Sequence, residues 1–313
     1  MKNAWKAINT AAIAVTLALV TAQAYAAEKI MLVTHGLAND PYWNSVKKGA
    51  DDAGKQLGVT VQYTSPDTYD MVRMASLITS AVNQHPAGIV ITIPDASALG
   101  TPIKFAVASG VPVISVDAGS DVAEKMGMLL HIGQQNYAAG KAVGERLKQA
   151  GAKKGLCVNH DVGNVALDDR CRGLKDGFGG NVTVLPTTES FQEVKSKVAA
   201  SLARDPEIDA VVAMSAAQGG EPTAAAAQES KRADLKVACF DLSPGILKDI
   251  VDGKVLFAVD QQPYLYGYLG VMFLTNYIRY GLLPTNKLIE TGPRFVTKAD
   301  AARVISLSAQ SFR

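Results

Sequence analysis

The chain is poor in the residues and patterns that mark several large classes of protein. Its 313 residues carry three cysteines and four histidines. His35, His85, His131 and His160 are scattered and no Cys-x-x-Cys pair occurs, so the spacing of a zinc site is missing and no metal is expected. No more than two Lys or Arg stand side by side anywhere, which leaves no basic stripe and makes nucleic acid an unexpected partner. There is no Gly-x-Gly-x-x-Gly after a strand, no phosphate loop, no His-Glu-x-x-His and no Gly-x-Ser-x-Gly elbow, so neither a cofactor nor a nucleophilic mechanism has motif support. Beyond the N-terminus no stretch reaches about 18 uninterrupted apolar residues, the length of a membrane span. What remains is an ordinary globular composition, 48% hydrophobic and 19% charged, long enough for two domains.

Residues 1–26 read as a secretory leader: a basic start with Lys2 and Lys6, an apolar run from Ala11 to Val20, and a small-residue end at Ala24-Tyr25-Ala26, with cleavage expected after Ala26. Without Lys2 and Lys6 the 31 basic residues fall to 29, equal to the 29 acidic ones, so the exported chain is neutral. Cys157, Cys171 and Cys239 then meet an oxidising compartment. Two readings stay open: a bridge between Cys157 and Cys171, 14 residues apart, contributing about 3 kcal/mol by loop closure, or three buried thiols.

After the leader, short apolar runs alternate with amphipathic stretches. Strands are expected at Lys29 to Thr34, Val59 to Tyr63, Gly88 to Ile93 and Val111 to Val116, with helices at Pro41 to Leu57, Tyr69 to Asn83 and Leu99 to Ser109 between them. The strands lack strict alternation, which implies burial on both faces, and helical connections of this length imply parallel strands joined by right-handed crossovers. A second round follows Met126 to Ile132 and runs to a strand at Val255 to Val259. A long helix at Leu265 to Tyr280 and short extended pieces near Leu288 and Phe295 end the chain. The fold class is α/β, two doubly wound parallel-sheet domains in tandem.

Ligands of such sheets bind beyond the carboxyl ends of the strands. There the first strand is followed by Asp40-Pro41-Tyr42-Trp43, in which Asp40 and Pro41 can start a helix. Two adjacent aromatics cannot both face the core, which frees one ring to stack on a ligand, and Trp43 is the one tryptophan outside the leader. Asp95, Asp117 and Asp241 each end an apolar strand. Asp95, before Ala96-Ser97, reads as a helix cap, whereas Asp117 and Asp241 read as acceptors for hydroxyl protons. Arg170 lies early in a helix, where the dipole disfavours a cation; its fork can donate to ligand oxygens or pair with Asp168 or Asp169. Gln261, ahead of Gln262-Pro263, follows the last strand of the second round and can donate and accept.

In this order the motifs resemble the ribose-binding-protein group, the periplasmic sugar-binding subunits of bacterial ABC importers, over essentially the whole exported chain. The group's Asn-Pro-aromatic-aromatic is matched by Asp40-Pro41-Tyr42-Trp43, its Arg-x-x-Gly by Arg170-Cys171-Arg172-Gly173, its Phe-Asp by Phe240-Asp241 and its Gln-x-Pro by Gln261-Gln262-Pro263. The resemblance implies the type I periplasmic binding protein fold with a three-crossover hinge near Gln134, Gln261 and Glu290. The lobes would be 27–134 with 262–290, and 135–261 with 291–313. It further implies a ring from the second lobe, Phe191, against the ligand.

Three departures steer the ligand away from ribose. Asp117 is followed by Ala118 rather than Arg, the strand ending Val212-Ala213-Met214 leads to Ser215 rather than Asn, and the opening Asn is Asp40. Asn164 can replace a lost donor. The expectation is a monomeric, non-enzymatic receptor for another pentose, a hexose or a polyol, neutral and small. Its partners would be ABC permease subunits, with a chemoreceptor as a further candidate. The alternatives are an exported carbohydrate-active enzyme, a receptor for a furanone-type signal, and a relative of sugar-responsive repressor cores.

Overall fold

The computed structural model describes residues 28–36 and 40–313. The expected leader and its cleavage point lie outside the described residues. Two six-stranded sheets organise the chain, one per lobe.

The first sheet holds β1 (Lys29–Val33), β2 (Thr60–Thr64), β3 (Gly88–Thr92), β4 (Val113–Val116), β5 (His131–Gly133) and β11 (Leu288–Glu290) in the order β11-β5-β4-β3-β1-β2. The second holds β6 (Gly155–Asn159), β7 (Val182–Pro186), β8 (Ala210–Ala213), β9 (Lys236–Phe240), β10 (Phe257–Asp260) and β12 (Arg294–Val296) in the matching order β12-β10-β9-β8-β6-β7. All pairings are parallel except β10 with β12. The central strands β3, β4, β6 and β8 are buried throughout, because helices cover both faces. Edge strand β2 is buried nowhere.

The helices follow from local chemistry. Helix α1 (Pro41–Leu57) has Pro41 at its first position, the Asp40 carboxylate accepting from Tyr42 N, and Gly58 in the left-handed region at its end. Helices α2 (Met71–Asn83) and α3 (Ala96–Ala108) are capped by Asp70 and Asp95, so Asp95 does serve as a cap. In the second lobe α4 (Asn136–Gln149) lies against α5 (Val165–Phe178), which Asn164 caps. The two backbones touch at glycine: a Cβ on Gly140 would lie 2.1 Å from Arg170 O, and one on Gly173 2.0 Å from Tyr137 O. Then come α6 (Phe191–Arg204), a π-helical turn (Ala216–Gly220), α7 (Glu221–Glu229), α8 (Pro244–Val251), α9 (Pro263–Tyr280) and α10 (Lys298–Ser308). Helix α9 packs on α1 of the first lobe through the reciprocal glycines Gly49 and Gly267, so each lobe owns one glycine-faced helix pair.

The chain passes between the sheets three times: from β5 to α4, from β10 to α9, and from β11 to β12. Hydrogen bonds tie these segments side by side. Gln135 Nε2 donates to Glu290 Oε1 at 2.6 Å and Thr291 N to Gly133 O at 3.1 Å. A disulfide joins Cys157, inside β6, to Cys171 on α5, with the Cα atoms 5.9 Å apart. That decides between the two readings of the cysteines; Cys239 remains a buried thiol.

Candidate functional site

Parallel strands point their carboxyl ends the same way, and in both lobes those ends face one shared space between the sheets. The cavity is walled by residues of both lobes. Of the residues singled out in the sequence, Asp40, Tyr42, Trp43, Asp117, Asn164, Arg170, Ser215, Asp241 and Gln261 line it. Phe191 does not. It opens α6 directly after the Ser190 cap and is 47% exposed, while Glu189, two residues earlier, stands in the cavity wall.

Tyr42 and Trp43 lie edge to face, ring centres 5.0 Å apart. Against expectation both turn inward, packing in the first lobe's core at the cavity's edge, because the two rings sit on neighbouring positions of the buried start of α1. The Tyr42 hydroxyl donates to Asp117 Oδ1 at 2.6 Å, so this tyrosine orients a carboxylate. Trp43 closes over Gly36, where a Cβ would lie 1.6 Å from the indole Nε1, and the indole and the His35 ring lie edge to face with centres 4.9 Å apart. Only glycine fits beneath the indole.

At the far wall the second lobe carries a buried chain of polar contacts. Arg170 donates through Nε to Asn136 Oδ1 at 2.8 Å, through one terminal nitrogen to Met214 O at 3.1 Å, and through the other to Gln261 Oε1 at 2.8 Å. Its guanidinium lies 4.7 Å from the centre of the Phe240 ring. Neither Asp168 nor Asp169 pairs with it: Asn159 holds Asp168, and Arg172 holds Asp169. Gln261 Nε2 donates to Asp241 Oδ1, so Gln261 relays orientation from the arginine to the carboxylate. Three acceptors leave Arg170 two of its five N–H donors for other partners.

Burial sets the electrostatics. It pushes the Asp241 carboxyl up to about 7, with the Arg170 charge and the Gln261 hydrogen bond pulling it part of the way back. It raises Asp40 as well, against the hydrogen bond from Gln218. His35 and His160 are shifted down by burial, which keeps both imidazoles neutral at neutral pH. Glu189 is pushed up to about 7 by burial and by Asp161 and Asp40.

Sequence reasoning passed over His35, His160, Asp161, Glu189 and Gln218, all of which line the cavity. A signal existed for the first three, since His35 follows β1 by two residues and His160-Asp161 follow β6 directly. His160 Nδ1 and Asp161 Oδ1 are buried without a protein partner and remain available to a guest. Gln218 sits in the π-helical turn, which nothing in Ala-Ala-Gln-Gly-Gly announces. Ser215 is in the wall but uses its hydroxyl to accept from Gly219 N at 3.0 Å, fixing that turn.

The arrangement can present carboxylate and amide acceptors, a few buried donors and one indole face to a small polar guest. No group of three metal-ligating side chains occurs among the described residues.

Comparison with known proteins agrees with this architecture. A model of the periplasmic binding protein domain matches residues 30–282. A carbohydrate transporter from Acidothermus cellulolyticus, solved with myo-inositol, superposes with a TM-score of 0.87 at 36% identity, covering 92% of this chain and all of that one. The ribose import binding protein of Escherichia coli is 28% identical over 263 residues, 81% of this chain and 86% of its own. The xylose/arabinose-binding protein of Sulfolobus acidocaldarius is 26% identical over 294 residues, 87% of this chain and 71% of its own. The chain belongs to the periplasmic binding protein family and has its type I fold.

Proposed function

We propose that this chain is the periplasmic receptor of an ABC importer, taking one small neutral sugar or polyol between its lobes and handing it to permease subunits. The observation that carries the reading is the cavity itself, in which carboxylates from both lobes converge on one space. A carboxylate accepts from two hydroxyls at once, and each such charge-assisted bond contributes about 1.5 to 3 kcal/mol. A polyol therefore satisfies both walls only when they are together, which ties closure to the ligand's stronger interaction with the closed state. The moving bodies are taken as 27–134 with 262–290 and 135–261 with 291–313. Relatives named for ribose and for xylose/arabinose, and a carbohydrate transporter solved with myo-inositol, favour the same ligand class.

In this reading Trp43 covers the apolar C–H face of the ligand, Asp117 and Asp241 take hydroxyl protons, and Asn164 and the free donors of Arg170 supply hydrogen bonds. Tyr42 and Gln261 act one step back, by aiming the two carboxylates. No bond of the ligand is broken. The signal peptide would end at Ala26 and the mature chain would work in the periplasm as a monomer.

The test is a thermal-shift screen over pentoses, hexoses and polyols, followed by calorimetry. A saturable one-to-one complex is expected. Chemical turnover of any sugar would instead favour the exported enzyme.

A further inference from the structure

Away from the hinge, two hydrogen bonds cross from lobe to lobe among the described residues. One is backbone to backbone, Val165 N to Pro94 O at 3.0 Å. The other is made by side chains: Gln218 Nε2 donates to Asp40 Oδ2 at 2.8 Å, between residues 178 positions apart. We propose that Gln218 is the latch of the cleft, the side chain that holds the lobes together and sets how long a ligand is retained. The inference rests on reading the cavity as a ligand site that opens and shuts.

Both ends of the bond are built. Asp40 Oδ1 accepts from Tyr42 N at 3.0 Å and so caps α1, the helix that carries Tyr42 and Trp43. The same carboxylate therefore ties the latch to the start of the aromatic wall. On the other side Gln218 stands in the π-helical turn that leads into α7, a rare conformation found frequently at functional sites. Ser215 caps it, and Gly220 lets it sit close, since a Cβ there would lie 3.0 Å from Ser215 O and Ile246 Cδ1.

Charge explains why a donor is needed at this place. Asp40 of the first lobe faces Asp161 and Glu189 of the second, with the neutral His160 beside them, so closure brings carboxylates toward one another. The Gln218 amide offsets that repulsion without adding a charge, and a neutral donor is weak enough to let go when the lobes part.

Gln218 is only half-buried, so its replacement leaves the core intact. The experiment compares wild type, Gln218→Ala and Gln218→Glu by stopped-flow mixing with myo-inositol, D-arabinose and D-ribose, using Trp43 fluorescence. For whichever probe binds, Gln218→Ala is expected to raise the dissociation rate about tenfold and leave the association rate nearly unchanged. Gln218→Glu places a carboxylate against Asp40 and is expected to lose more at pH 8. Part of its deficit relative to wild type is expected to return at pH 5, where a protonated Glu can donate to Asp40. Unchanged dissociation in both variants overturns the latch.

Gln218 also lines the cavity, so the latch is read without ligand as well. Spin labels on Thr68→Cys and Gln192→Cys, exposed positions beyond β2 and β7, report the distance between lobes. Gln218→Ala is expected to shift that distribution toward the open form. Identical distributions in the two proteins overturn the proposal.

Discussion

Asp117 and Asp241 occupy the same place in the two lobes. Each is the first residue after a strand, β4 in one sheet and β9 in the other, and each strand is third from the corresponding end of its sheet. Each has left-handed backbone, with φ of 65° and 66°. The backbone N–H of each is held by the neighbouring strand, Asp117 N by Ile132 O at 3.0 Å and Asp241 N by Val259 O at 2.8 Å. Aspartate is one of the few L-residues that visit this region readily. The fold thus repeats a sharp exit from a buried strand that turns a carboxylate into the cleft.

Because asparagine tolerates the same backbone, Asp241→Asn removes the charge with little strain. Calorimetry with the ligand identified by screening is expected to show binding weakened by about 2 kcal/mol, the difference between a charged and a neutral acceptor for hydroxyls. Asp241→Ala is expected to lose at least as much. Unchanged affinity in both would take Asp241 out of the site.

The Asp241 carboxyl, pushed up to about 7 by burial, makes both stability and binding depend on pH. Its folded-state value lies above that of the unfolded chain, so the folded protein holds the proton more tightly. Its contribution to stability is then present below about 4, falls as pH rises toward 7, and is flat above. Ligand hydroxyls need the ionised carboxylate, so affinity is expected to rise from pH 5 to 8 with release of a proton on binding. Titrations in two buffers of different ionisation enthalpy measure that proton. Affinity that falls over this range contradicts the assignment.

Arg170 holds three buried acceptors that have no water to turn to. Arg170→Ala is expected to cost about 3 kcal/mol or more in urea denaturation. Arg170→Lys is expected to recover only part, because one ammonium cannot reach Asn136, Met214 O and Gln261 together. Full recovery by lysine would mean that charge alone matters there.

Reduction of the Cys157–Cys171 bridge is expected to lower stability by about 3 kcal/mol, the loop-closure term for a short ring. The bridge fastens β6 to α5, the elements that flank His160, Asp161 and Asn164, so ligand affinity is expected to drop in the Cys157→Ala/Cys171→Ala double variant as well. Circular dichroism melts and calorimetry read the two effects separately.

The alternation of apolar runs with amphipathic stretches made the doubly wound sheets legible, since helix-covered strands must be apolar on both faces. The pairing of β11 and β12 with opposite sheets was foreseeable only as short extended pieces that return. At the site, residues next to strand ends were legible because the topology alone brings them to the cleft, as with Asp117 and Asp241. The roles of Tyr42, Arg170 and Gln261 were less so. Each carries donors or acceptors suited to a ligand, yet each spends several of them on a protein neighbour that only the packing reveals. Phe191 and Glu189 show the limit, since which of two residues flanking a helix cap faces inward depends on the approach of the preceding loop. Gln218 escaped because a π-helical turn has no sequence signature comparable to a cap or a glycine stop.

The central claim, that strand ends of both lobes form one slot for a hydroxyl-rich guest, is tested most directly by titrating neutral pentoses, hexoses and polyols into wild type and the Asp117→Ala/Asp241→Ala double variant by calorimetry. Wild type is expected to bind one of them at one site with a dissociation constant on the order of micromolar, some −8 kcal/mol, and the double variant to bind none measurably. No binding of any neutral polyhydroxylated compound to wild type, or the same affinity in the double variant, would contradict the account.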